Sequence, residues 1–137
     1  DVGTNQLHEK LKKEKKIISI ENFNAKYLNY SIISEKIDLL VCDVSFISLK
    51  KVIYPGLNLL SKNAEIIALI KPQFETQKMN LRKGVVKDSL IHKQVCEDIQ
   101  SWFSDVCKVN VIGLTPSPIA GPKGNLEFLI YCCLNKS

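Results

Sequence analysis

Apolar and polar positions alternate along this chain in two different periods, and the changes of period mark its elements. Ile66-Ile67-Ala68-Leu69-Ile70 is a short β-branched run that reads as a buried strand, stopped by Lys71-Pro72. Pro72 lacks the donor that a central ladder needs, so Lys71 falls at the strand's carboxyl end. Asp38 to Cys42 reads as a second strand, closed by Asp43. Val106 to Leu114 and Leu126 to Leu134 supply two more, and Ile17 to Ile20 a short one ended by Glu21-Asn22. Helical period appears from Asn5 to Lys16 with a thin Leu7/Leu11 stripe, and from Ser48 to Ser61, where Pro55 should bend the helix. It appears again from Asp88 or Ser89 to Ser104, with Ile91, Val95, Ile99 and Trp102 inward. Asn22 to Glu35 is irregular, with a helical turn expected near Ser31 to Glu35. Pro72 to Asp88 reads as a long basic loop, and Thr115 to Asn125 as a Pro/Gly-rich one.

Strands alternating with helices imply an α/β fold with a parallel sheet. The loop before the last strand is too short for a helical crossover, so the final two strands should pair antiparallel. Glu127 then faces the edge that carries Asp43 and Lys71, the edge where open α/β sheets bind ligands. Taken singly, Asp43 is a turn aspartate and Lys71 a side chain reaching into water. Glu127 is harder to dismiss, because an unpaired carboxylate in an apolar strand is costly; a Lys71–Glu127 salt bridge is the plain structural alternative. Three polar groups converging on one edge favour a site.

With 137 residues the chain suits one domain. No apolar run approaches the ~20 residues needed to span a bilayer. The five cysteines are odd in number and form no CxxC pair, which suits reduced thiols in a cytoplasmic protein and no metal site. The net charge of +5 comes almost entirely from lysine, Arg82 being the only arginine, and suits a polyanionic partner. The chain opens at Asp1 without a methionine, as a piece of a longer protein would.

Five stretches together resemble a known family: Asp1-Val2-Gly3-Thr4-Asn5-Gln6-Leu7, Cys42-Asp43-Val44-Ser45-Phe46-Ile47-Ser48-Leu49, Ile70-Lys71-Pro72-Gln73-Phe74-Glu75, Lys83-Gly84-Val85-Val86 and Gly124-Asn125-Leu126-Glu127-Phe128-Leu129. They look like the TlyA family, bacterial proteins labelled both haemolysin and ribosomal RNA 2′-O-methyltransferase, with an FtsJ-like catalytic domain. The resemblance implies a class I methyltransferase (Rossmann-like) sheet, S-adenosylmethionine as cofactor and RNA ribose as substrate. Asp43, Lys71 and Glu127 match the last three members of the FtsJ-like Lys-Asp-Lys-Glu tetrad. Asp1, Val2, Glu21, Asn22 and Asp43 fall where such a fold contacts its cofactor.

The first tetrad lysine, the first strand, the glycine-rich loop and the S4-type RNA-binding domain would all precede Asp1. The sheet is therefore expected truncated on its amino-terminal side, and the fragment inactive and a poor cofactor binder by itself. Lys71 is the candidate base, oriented by Asp43 and Glu127. Lys78, Arg82, Lys83, Lys87 and Lys123 are candidates for gripping phosphates, and Phe74 for stacking on a base. Surface solubility is the equal alternative for each basic residue.

Rival readings are a non-catalytic RNA-binding module, a membrane-active haemolysin and a base-amine methyltransferase. The last usually carries Asn-Pro-Pro-aromatic where Asp43-Val44-Ser45-Phe46 stands here. In the family's sheet order Ile17 to Ile20 loses the neighbours that would join it to the sheet, and the strand Asp38 to Cys42, normally central, becomes an apolar edge. That edge is expected to be covered by Ile17 to Ile20 or, as a homodimer, by a second copy. A monomer leaving Leu39 to Val41 bare would count against the strand itself.

Overall fold

The computed structural model describes residues 1–134. Four strands form one sheet in the order β1-β2-β4-β3, with β1 at Ile37–Cys42, β2 at Leu60–Ile70, β3 at Asn110–Pro116 and β4 at Phe128–Cys133. β1 and β2 are parallel, and β4 is antiparallel to both β2 and β3. This is the order expected of the fourth, fifth, seventh and sixth strands of a Rossmann-like methyltransferase sheet. β2 begins six residues earlier than the apolar run suggests, because Leu60 and Ala64 continue the inward alternation of Ile66, Ala68 and Ile70.

α1 (Glu9–Lys12) and α3 (Pro72–Glu75) are single turns, and one face of the sheet packs on the two longer helices, α2 (Leu49–Gly56) and α4 (Ser89–Ser101). The core is Leu49 and Ile53 from α2, Val95 and Ile99 from α4, and the inward residues of β2 and β4. Ser48 caps α2 as expected, accepting from the Lys50 amide. That helix stops at Gly56, one residue after Pro55, and a 3-10 turn over Leu57–Leu59 leads straight into β2. Asp88 caps α4, which continues as a π-helical turn over Trp102–Val106. That turn shifts the register, so Phe103 enters the core fully and Trp102 lies half-buried beside it. It also delays β3 to Asn110.

The first 36 residues depart most from expectation. The helix expected over Asn5 to Lys16 is reduced to α1, because Asn5 takes φ 56° and no residue of the stretch is buried to hold a longer helix. Ile17 to Ile20 forms no strand: Ile18 is exposed, and the Ile20 carbonyl accepts from the Asp1 amine instead of a sheet neighbour. The expected turn near Ser31 lies slightly upstream, on the Asn29 carbonyl, and a 3-10 turn at Ala25–Tyr27 packs on α2.

β1 is consequently an edge paired to β2 alone among the described residues, with Leu39 and Val41 exposed. β1 forms as a strand within the single chain. All five cysteines are free thiols. Burial pushes Cys42, Cys96 and Cys107 up to about 11 and Cys132 to about 12, so these four stay protonated.

Candidate active site

The parallel pairing of β1 and β2 sets Cys42 opposite Ala68, which brings both strands to the same end with Asp43 and Lys71 just beyond. Lys71 Nζ lies 2.6 Å from Asp43 Oδ1 and donates to Ser45 Oγ at 3.1 Å. The lysine side chain is largely buried and the aspartate largely exposed, so the pair projects from the sheet toward solvent. Lys71 is also the residue from which α3 starts, with Pro72 at its first position, where the missing amide costs nothing. The segment after Lys71 is thus a helical turn and not an open loop.

Antiparallel pairing sets Ile70 opposite Phe128, so Glu127 follows in register beside Lys71. Glu127 lies one residue before β4 and is 6% exposed. Lys71 is not its partner, and the Lys71–Glu127 salt bridge does not form. Its carboxylate accepts from Gln73 Nε2 at 2.8 Å. Gln73 is itself buried, and its Oε1 has no donor; such an orphan costs about 1–3 kcal/mol. Sequence reasoning missed Gln73, although its place two residues after Lys71 was visible.

A cleft of about 570 Å³ opens at Asp43, walled also by Asp1, Val2, Phe23, Asn24 and Phe46 among others. Asp1, Val2 and Asp43 therefore meet at one cavity. Glu21 and Asn22 stand outside its wall: Glu21 pairs with Lys12 at 2.9 Å, and Asn22 accepts from Thr4 Oγ1. The Lys12 hydrogen bond holds the Glu21 carboxyl below its ordinary range. Phe46 is 90% exposed at φ 65°, a backbone region costly for an aromatic residue, and its ring packs on Phe74 with centroids 5.0 Å apart. Phe46, not Phe74, is the aromatic offered to solvent. Its positive φ gave no signal in the sequence.

Arg82, Lys83, Lys87 and Lys123 line a second cavity of about 440 Å³, while Lys78 stands apart on the preceding 3-10 turn. The two basic stretches are clipped together by Asn125. Its amide donates to the Gly84 and Pro122 carbonyls and its oxygen accepts from the Val86 amide. Among the described residues no cluster of metal-ligating side chains occurs, and no helix is long and apolar enough to cross a membrane.

The strand order β1-β2-β4-β3 is that of a Rossmann-like methyltransferase sheet. More narrowly, the chain belongs to the FtsJ-like methyltransferase family, whose sequence model matches residues 1–134. It is 39% identical over 137 residues to hemolysin A of Brachyspira hyodysenteriae, covering 96% of this chain and 55% of that protein. It is 39% identical over 139 residues to the 23S rRNA (cytidine-2′-O)-methyltransferase TlyA of Campylobacter jejuni, covering 98% of this chain and 52% of that protein. A solved structure from Streptococcus thermophilus superimposes with a TM-score of 0.92 at 36% identity, covering all of this chain and 50% of that one. The chain thus spans about half the length of the relatives it matches.

Proposed function

We propose that the protein carrying this chain methylates a ribose 2′-hydroxyl of ribosomal RNA, with S-adenosylmethionine as methyl donor. The observation that carries the reading is the Asp43–Lys71 pair, 2.6 Å apart at the carboxyl edge of two parallel strands, with Asp43 on the wall of an open cleft. The names of the Campylobacter relative and of the 16S/23S rRNA (cytidine-2′-O)-methyltransferase TlyA of Mycobacterium tuberculosis, 34% identical over 138 residues, support the same chemistry.

The cleft suits an adenosine-type donor, with carboxylates at Asp1 and Asp43 and apolar walls at Val2 and Phe23. Asp1, Val2 and Asp43 would hold it, with Glu21 and Asn22 adjoining. The donor supplies an electrophilic methyl group. A ribose hydroxyl is a weak nucleophile and must lose its proton as its oxygen attacks. Lys71 Nζ is placed to take that proton, and Asp43 and Ser45 hold the ammonium that results. Glu127 orients the reacting groups from the neighbouring strand. Arg82, Lys83, Lys87 and Lys123 grip backbone phosphates at the second cavity, with Lys78 beyond it. Phe46, backed by Phe74, presents a face to a base. The reading extends to a cytoplasmic protein working on ribosomal RNA and, for the 137-residue chain by itself, to a homodimer through the bare β1 edge.

The test uses the protein as its gene encodes it, labelled donor and ribosomal RNA. A methylated ribose blocks alkaline cleavage at its own 3′ phosphate, which separates ribose from base methylation. Lys71→Ala should lower transfer by about 10²–10⁴-fold while donor affinity stays near wild type. Wild-type turnover by that variant would remove Lys71 as base. The name of the Brachyspira relative favours a second reading, lysis of membranes; leakage of liposomes by the pure protein would support it.

A further inference from the structure

Glu127 is buried at the reacting edge and forms no ion pair among the described residues, so whatever orients its carboxylate decides where it points. Two groups do so. The Gln73 amide donates to Oε2 at 2.8 Å. Gly121 lies against the same oxygen, where a Cβ would come within 2.2 Å of Oε2 and 2.6 Å of Cδ. Gly121 has φ −78°, open to any residue, so its glycine serves space and not backbone freedom.

A carboxylate only accepts hydrogen bonds, so the Gln73 amide must turn its NH₂ toward Glu127. That orientation strands Oε1, buried without a donor. A side chain present for packing alone gains nothing from an amide here, since an apolar one of equal length would leave no orphan. The amide therefore serves the carboxylate. Its location gives the reason: Gln73 lies on the first turn of α3, which starts from Lys71. One helical turn carries the candidate base at its start and the group that holds Glu127 two residues on.

We propose that Gln73 is a positioning residue, which fixes the Glu127 carboxylate against the Gly121 backbone and so sets its place relative to Lys71. The inference rests on the reading of Glu127 as part of the reacting centre. Small misplacements of such groups cost rate far more than binding.

Gln73→Met keeps the length and removes the donor. In the gene-encoded protein it should lower kcat by ~10²-fold and leave KM for donor and RNA close to wild type. A crystal structure of the variant should show Glu127 displaced or in several rotamers. A kcat within about twofold of wild type, or Glu127 unmoved in a single rotamer, would overturn the proposal. Should the methionine variant fail to fold by circular dichroism, Gln73→Glu has nearly the same shape, sets a second acceptor against Glu127, and must pass the same two criteria. A wild-type protein without methyl transfer defeats the functional reading, and the rotamer of Glu127 still decides the positioning role.

Discussion

The Glu75 carboxylate accepts from the Ser48 hydroxyl at 2.6 Å and the Leu49 amide at 2.8 Å, so it caps a helix belonging to a different stretch of chain. In this way the Lys71 segment and the Asp43 segment are tied to each other by a side chain outside the reaction. Burial raises the Glu75 pKa above its ordinary 4.5, against the opposing pull of the Ser48 and Leu49 hydrogen bonds. The sign of the pH dependence follows. With the folded pKa above the unfolded one, this group's contribution to stability is full below 4.5. It is then lost as pH rises from there through the raised folded value, because the native state holds the proton longer. Urea midpoints measured across this window should therefore contain a falling component that Glu75→Gln removes. An identical slope in both proteins would show that Glu75 does not titrate differently on folding.

At the scale of elements, the basic hairpin and the strand bearing Glu127 behave as one unit because of Asn125. The Arg82–Val85 bridge closes on Lys83 and Gly84, both at positive φ (51° and 82°), the signature of a tight primed turn. Asn125, 3% exposed, holds its direction with two hydrogen bonds, to the Gly84 carbonyl and from the Val86 amide, beside His92 on the Val86 carbonyl and Lys123 on the Lys83 carbonyl. Asn125→Ala leaves the buried Val86 amide without its acceptor, a cost of about 1–3 kcal/mol. Amide exchange at Val86 should accelerate, and RNA affinity should fall with the loosened lysines. Unchanged exchange at Val86 would mean the hairpin holds itself. The strands were legible in the sequence where apolar runs were short and bounded, as at Asp38 to Cys42 and Ile66 to Ile70, and Asp43 and Lys71 were legible as strand-end residues. Period alone could not show that Ile17 to Ile20 lacks a sheet neighbour, because an apolar run states what is apolar and not what is available to pair. Gln73 and Phe46 were hidden for a related reason: one acts through a contact 54 residues away, the other through a positive φ.

The whole molecule has one covered face and one bare one. Helices α2 and α4 lie on the inward residues of the sheet, while Leu39, Val41, Ile67 and Tyr131 are exposed on the opposite side, with Leu69 and Leu129 half-buried between them. The bare face runs to the β1 edge, where backbone groups have no partner strand among the described residues. An edge strand with apolar side chains is a template for another strand. A two-fold axis beside β1 would pair it antiparallel with its own copy and close the assembly at two chains, since the same surface serves both sides. Antiparallel pairing across the axis would also bring Val41 and Leu39 of the two copies together. The 137-residue chain should accordingly elute from size exclusion with a light-scattering mass that rises toward two chains with concentration. Leu39→Lys with Val41→Lys should hold it monomeric and match the wild-type melting temperature at concentrations low enough for the wild type to be monomeric, because neither side chain contributes to the buried core. A wild-type mass of one chain at every concentration would remove the edge-to-edge dimer. A mass of two chains that survives both lysines would place the contact elsewhere.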